Sequence, residues 1–358
     1  MDLSLTEDQE LIASTAREVL ASRVSTAGAR ALEGDPSGYS AALWKEMVEL
    51  GWTGLAFPEE HGGVGGDFLD ACLLFEQLGY ARVPSPLPAS VACCGMPVAR
   101  CGTPEQRERW LAAIADGRIV TAAPLPWDRP GEGPAAAREG DAFVLSGTAE
   151  FVPYAASAEH ILVVARLDGE PRAFWVDASD VTLRPLGAIG SDRPCHVELD
   201  GVRAEDALGA DAAAAINLFG AAATCAEMVG GAQRVLDMTV EYATEREQFG
   251  RAIGSFQAVQ HHCADMAIDV LGSRFIAYEA IWLLSAGREA AQEVAMAKAW
   301  VSEAYERVCA LGHQVHGAIG FTGEHDLRLF SEHAMAASLA FGDPDLHYDK
   351  LAEDLDPD

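Results

Sequence analysis

The run LDMTVEYATEREQFGRAIGSFQAVQHHCADM, residues 236–266, breaks a long helical stretch with a short polar and glycine-containing insert, Arg246-Glu-Gln-Phe-Gly250. The helical period around it extends from about residue 210 to about residue 340, in Ala-rich segments that are hydrophobic on more than one face. Such helices are buried between neighbours or between subunits. Working back towards the N-terminus, residues 121–208 have a different texture. Short runs such as Ala142-Phe-Val-Leu, His160-Ile-Leu-Val-Val-Ala, Ala173-Phe-Trp-Val and His196-Val-Glu-Leu are separated by Gly, Asp and Pro, which reads as a small all-β domain. Residues 1–118 are helical again. Thr6 precedes an acidic first turn, residues 40–50 and 67–79 keep the helical period, and Thr103-Pro104 opens a further helix with proline at its first position. Between them lies a glycine-rich turn region, residues 57–66.

A chain of 358 residues is long enough for two or three cores, and 49% hydrophobic with 22% charged residues is the composition of a folded protein. Its 55 acidic against 25 basic residues leave a net charge of -30, which repels phosphate backbones and anionic lipid. Nucleic acid is therefore excluded as a partner, and an anionic ligand needs a site built locally from a few arginines and backbone N–H groups. The acidity also fits a high-salt or solubility adaptation with no partner implied. Eight cysteines show neither a CxxC pair nor zinc spacing, so buried thiols in a reducing cytosol are expected. The start has no basic and apolar leader pattern and no 18-residue uncharged apolar run occurs, so the expected location is cytoplasmic, without a membrane.

Three segments carry a resemblance: Trp44 with Leu50-Gly-Trp-Thr-Gly-Leu-Ala-Phe-Pro-Glu-Glu-His-Gly-Gly-Val-Gly; the quoted run with Tyr242, Arg246-Glu-Gln-Phe-Gly250 and Phe256-Gln-Ala-Val-Gln260; and Gln314-Val-His-Gly-Ala-Ile-Gly-Phe-Thr322. In that order they resemble the acyl-CoA dehydrogenase family over nearly the whole chain. The resemblance implies an α+β multi-domain fold: an N-terminal helical domain (1–120), a middle β domain (121–209), a C-terminal four-helix bundle (210–342) assembling as a dimer of dimers, and an acidic tail (343–358). It also implies FAD as cofactor, α,β-desaturation of an acyl thioester, and a flavin whose diphosphate and adenine are touched by the neighbouring subunit. Carried onto this sequence, Arg246, Phe249, Gln257, Gln314 and Gly317 are the residues that reach across. A guanidinium offers a fork to diphosphate oxygens, Phe249 can cover an apolar cofactor face, the glutamine amides satisfy further acceptors, and Gly317 leaves room for close backbone approach.

The chain departs from the family where the chemistry needs a base. Dehydrogenation requires a carboxylate to remove the α proton. One family position for it falls on Phe341 and the other on Gly220. Glu227, seven residues after Gly220 and about 10 Å along a helix, and Asp343 are the carboxylates that could substitute, each with an ordinary structural role as the alternative. In the middle domain the usual flavin-holding pattern is replaced by Ala122-Ala-Pro-Leu-Pro-Trp-Asp-Arg-Pro-Gly and Glu150-Phe-Val-Pro-Tyr-Ala; Phe151 keeps an aromatic platform, while Pro153 lacks an N–H.

The chain thus resembles the shorter, base-lacking subunit of heteromeric bacterial members, which act in fatty acid or steroid side-chain metabolism. Its implied partners are an acyl-CoA or acyl-carrier thioester, a longer paralogous subunit and electron-transfer flavoprotein or a similar acceptor. Two other readings stand beside it: a self-sufficient homo-oligomeric dehydrogenase using Glu227, and a flavin-free scaffold or carrier-binding protein. Fold alone does not choose among them.

Overall fold

The computed structural model describes residues 5–23, 32, 35–129, 131–140, 142–190, 192–204 and 206–355. Helices α1 (Glu7–Arg23), α2 (Ala41–Glu49), α3 (Phe68–Ala81), α4 (Leu87–Cys101) and α5 (Pro104–Ala115) come first. Strands β1 (Val120–Ala123), β2 (Ala135–Glu139), β3 (Ala142–Val152), β4 (His160–Leu167), β5 (Glu170–Asp177), β6 (Thr182–Pro185), β7 (Cys195–Ala204) and β8 (Asp206–Ala207) follow. The C-terminal part holds α6 (Ala212–Glu245), a hairpin of β9 (Glu247–Gln248) and β10 (Arg251–Ala252), α7 (Gln257–Ser285), α8 (Ala291–His316), α9 (Leu327–Leu339) and α10 (Pro344–Leu355). The expected class, helices then a central sheet then helices, holds.

Helix starts are legible in local chemistry. The Thr6 hydroxyl accepts from Gln9 N while the Gln9 side chain accepts from Thr6 N, and Thr103 and Gln106 repeat the same reciprocal box at α5. Pro104 stands at the first helical position, where no donor is needed.

The chain forms two compact units, one of residues 30–71 and 84–220, the other of residues 1–29, 72–83 and 221–358. The first is organised on a mixed sheet of order β6-β7-β3-β2-β4-β5-β8, with β1 pairing parallel to β4. Residues 160–165 of β4 are buried on both faces, which explains their unbroken apolar run. Trp110 of α5 stacks on Trp175 of β5 with ring centroids 3.9 Å apart, both fully buried, and this contact fixes α5 on the sheet.

In the second unit α8 packs against α7, α9 and α10. Two glycines bring α3 and α6 into backbone contact: a Cβ on Gly79 would lie 2.0 Å from the Glu227 carbonyl oxygen, and one on Gly230 would lie 1.9 Å from that of Glu76. Around this crossing, Arg274 pairs with Glu76 at 2.7 Å, Tyr278 donates to Glu76 at 2.5 Å and Tyr80 donates to Asp237 at 2.8 Å. Charges buried there are thus partnered, as burial demands. Helix α6 is long and apolar enough to cross a membrane, but 78% of its most apolar window is buried inside the folded chain.

One expectation needs correction. The acidic segment from Asp343, read as a tail, contains helix α10 as far as Leu355. Asp343 caps it, accepting from Leu346 N at 2.8 Å, and buried His347 anchors its first turn. The C-terminal part therefore has a fifth helix beyond the expected four. Asp345, Asp349 and Glu353 are exposed on this amphipathic helix, which composition alone does not separate from a solvated tail.

Candidate functional site

Residues 246–257 form a rigid, outward-facing element. Arg246 N donates to Tyr242 O and Ile253 N to Arg246 O, both at 2.8 Å, so the backbone at Arg246 is held on both sides. Arg251 pairs with Gln248, leaving Phe249-Gly250 as a two-residue turn, and both have positive φ, +56° and +79°. That is the backbone of a type I′ hairpin turn, which favours Asn-Gly and disfavours an aromatic first residue. Nevertheless Phe249 stands there with 91% of its surface exposed, its ring meeting that of Phe256 edge-on at 6.1 Å. Arg251 covers Phe256 at 4.0 Å.

Gln257 begins α7 and Gln314 lies in the last turn of α8, both exposed. Among the described residues, the side chains of Arg246, Gln257 and Gln314 make no hydrogen bond or ion pair. Gly317 ends α8 with φ +65° and ψ -144°, and a Cβ there would meet nothing within 4 Å. Within this chain, glycine at 317 is thus required by the backbone angle and not by close packing. Tyr242, one turn before Arg246, stacks on His316, next to Gly317, at 4.5 Å, and this ties the two segments together. His316 donates from Nδ1 to Gly312 O at 2.8 Å, while burial and the neighbouring His325 hold its pKa below the usual histidine value. A cleft lined by Arg234, Glu241, Tyr242, Glu245, His316 and His325 opens beside them.

Phe151 belongs to the other unit. It is 62% exposed with φ +56°, at an irregularity of β3 between Ala149 and Val152. The nearby Thr121 hydroxyl is committed to Pro153 O at 2.7 Å. Glu227 is half-buried on α6, at the crossing with α3, and its charge contributes to raising the Tyr305 pKa, which burial drives first. Asp343 serves as the cap of α10, and Phe341 sits half-buried in the link between α9 and α10 with φ +58°.

Sequence reasoning missed Lys298, which is fully buried on α8 and hydrogen-bonded to Ser302 Oγ, Ser338 O and Gly342 O. A signal existed: Lys298 falls in the apolar helical series Val294, Val301, Tyr305 and Val308. Also missed was the strain at Phe249, since a Phe-Gly pair carries no turn signal as strong as Asn-Gly.

Helices, then a sheet, then helices in chain order, with an exposed aromatic hairpin just before α7, define an acyl-CoA dehydrogenase-type fold. Residues 6–118 match the acyl-CoA dehydrogenase N-terminal domain and residues 209–355 the C-terminal domain. The chain is 34% identical to the Mycobacterium tuberculosis acyl-CoA dehydrogenase FadE27 over 319 residues, 85% of each. Among solved structures it is similar to the ChsE4–ChsE5 complex from Mycobacterium tuberculosis, with a TM-score of 0.93, 31% identity and 99% of both chains covered. A Tcur3481–Tcur3483 steroid ACAD superimposes with a TM-score of 0.91 at 30% identity over 97% of each chain. The chain belongs to the acyl-CoA dehydrogenase family, whose members are FAD-dependent oxidoreductases.

The residues present fit one part of an FAD site. Arg246, Gln257 and Gln314 offer unpaired donors and Phe249 an exposed ring, all on one unit.

Proposed function

We propose that this chain is the half-site subunit of an FAD-dependent acyl-CoA dehydrogenase. It lends Arg246, Phe249, Gln257, Gln314 and Gly317 to the flavin of a longer homologous partner and has no base of its own. The observation that carries this reading is Phe249: a large aromatic in a left-handed turn, 91% exposed, contributes nothing to its own core and is suited to a ligand or partner beyond the chain. FAD, when bound, supplies the acceptor for the β hydride of the thioester. Arg246 binds diphosphate oxygens through paired N–H groups, the two glutamines donate to the acceptors that remain, and Phe249 keeps water from an apolar cofactor face. Gly220 and Phe341 can take no proton, so the base comes from the partner. The ChsE4–ChsE5 relative, a complex of two different chains, supports a heteromer, and the steroid relative supports an acyl-CoA with a bulky side chain. Exposed Ile268, Leu271, Phe275 and Trp282 along α7 give the assembly an apolar face, and electron-transfer flavoprotein serves as the acceptor.

The test is turnover of acyl-CoA with an artificial electron acceptor, by the chain alone and co-purified with a longer homologue bearing a carboxylate at a base position. Turnover only in the mixed assembly is expected. Turnover by the chain alone would overturn the reading and return the role to Glu227.

A further inference from the structure

Three histidines meet where the chain passes from α8 to α9 through residues 317–326. His316, the last residue of α8, is 5% exposed and donates Nδ1–H to Gly312 O at 2.8 Å, which fixes its neutral tautomer with the lone pair on Nε2. Its ring stacks on Tyr242 of α6 at 4.5 Å and meets the His325 ring edge-on at 4.8 Å. His325 takes the opposite tautomer: its Nδ1 accepts from Leu327 N at 3.2 Å, so its proton stands on Nε2. That bond caps α9, because Asp326 in the cap position makes none with its side chain. His313, one turn back on α8, stacks on Phe321 at 4.6 Å and bonds through Nε2 to Ser331 Oγ at 2.7 Å, while the Ser331 hydroxyl donates to Leu327 O. The link is therefore held to α6 on one side and to α9 on the other by neutral imidazoles.

Acid opposes these contacts. A proton on His325 Nδ1 turns the acceptor into a donor facing the Leu327 N–H, and sets a cation at a helix N-terminus, where the dipole disfavours it. A proton on His316 puts a second charge beside the first. Burial, with His325 adding to it, already holds His316 below the usual histidine pKa, and burial with His316 does the same for His313. The other charged groups facing the cluster are Arg234, Glu241 and Glu245 of α6 and Glu324 and Asp326 of the link. The three glutamates are exposed to water, which weakens their pull on the imidazoles, and Arg234 opposes protonation.

We propose that Tyr242, His316 and His325 are positioning residues that form an acid-released latch: closed at neutral pH, it sets the separation of Arg246 from Gln314 and Gly317, and its opening in acid lets the flavin go. The inference rests on the half-site reading above. Arg246 N bonds to Tyr242 O, and Gln314 and Gly317 lie within two residues of His316, so the one ring stack joins both flavin-binding segments. The sign follows from linkage: the latched form binds protons more weakly than the released form, so falling pH favours release.

Two readouts test this. In the isolated chain, amide exchange over residues 317–327, corrected for the intrinsic effect of pH, is expected to be at least about tenfold less protected at about pH 5.5 than at about pH 7.5, with an unchanged far-ultraviolet spectrum. In the mixed assembly, FAD retention on dialysis is expected to weaken about tenfold over the same interval. His325→Asn supplies Leu327 N with an acceptor that acid does not remove and is expected to abolish both responses. Should it fail to fold, His316→Phe, which keeps a ring on Tyr242 and carries no titrating group, is expected to blunt them in the same way. Tyr242→Leu is expected to weaken FAD retention at about pH 7.5 by about two- to tenfold, the size of one aromatic pair. Exchange that is equal at the two pH values, or a response that persists in His325→Asn, overturns the latch; exchange that changes while FAD retention does not overturns the positioning role. An assembly that holds no flavin at about pH 7.5 refutes the half-site reading and the positioning role with it, while the latch itself is decided by exchange in the isolated chain, where no flavin is needed.

Discussion

Replacing Phe249 by Asn separates what the hairpin tip does for the fold from what it does for the assembly. The residue is 91% exposed, so truncation removes little buried area and forfeits only an edge contact to Phe256 at 6.1 Å. Against this, the left-handed backbone at φ +56° costs a bulky side chain roughly 1–2 kcal/mol. Asparagine tolerates that region, and Asn-Gly is the preferred pair for the turn. Subtracting about 0.5 kcal/mol for the lost ring contact leaves a net gain of roughly 0.5–1.5 kcal/mol. In a chain of 358 residues this raises the melting temperature by about 1–3 °C. The mixed assembly should respond in the opposite direction, losing flavin on gel filtration because the apolar cover is gone. Calorimetric melting of the isolated chain and flavin absorbance of the assembly measure the two effects. A lower melting temperature with flavin retention unchanged would refute the reasoning, since Phe249 would then be serving its own fold.

Other consequences follow from the same geometry. Arg246→Ala is expected to leave the melting curve in place and to weaken flavin retention by the assembly roughly ten- to a hundredfold, the equivalent of about 1.5–3 kcal/mol for a charge-assisted contact. Equilibrium dialysis against FAD measures this. Glu227→Gln keeps the shape of the side chain at the α3–α6 crossing and is expected to retain turnover in the assembly within about tenfold, whereas removal of a true base costs about a hundredfold or more. The pH dependence of stability has a definite sign. His347, lowered to about 4, binds fewer protons folded than unfolded, so between its unfolded value near 6.5 and about 4 stability falls as pH falls. Urea melts from pH 7 to pH 4 should show this acid limb, shallower in His347→Gln, which keeps a donor for Phe341 O. Lys298, lowered to about 8, gives stability that rises with pH between about 8 and 10.5, a rise that Lys298→Met removes.

Much of the fold was legible because local and global signals agree. The Thr6 and Thr103 caps, the doubly buried run of β4 and the long apolar helices each use one strong pattern, and the structure uses them as written. At the polar tip, the side chains of Arg246, Gln257 and Gln314 make no hydrogen bond or ion pair among the described residues, so nothing local competes with a ligand for them. Less legible was whatever depends on which turn a residue occupies. Asp343 looked like the start of a tail because an acid ahead of proline serves equally as a cap and as a solvated residue. Lys298 showed its burial through its place in an apolar stripe but not its role, because two of its partners are backbone carbonyls about 40 residues on, and the stripe does not name them. The left-handed backbones at Phe249, Phe341 and Phe151 were likewise invisible, since strain at an aromatic has no propensity signal and is sustained by surrounding structure.

The central claim, that this chain completes a flavin site without holding a flavin itself, is tested most directly by the FAD-to-chain ratio of the protein purified alone and in its mixed assembly. Absorbance in the flavin band against total protein gives both values. The account predicts a ratio near zero for the isolated chain and flavin in the assembly that Arg246→Ala depletes. A full complement of tightly bound FAD in the isolated chain would contradict it.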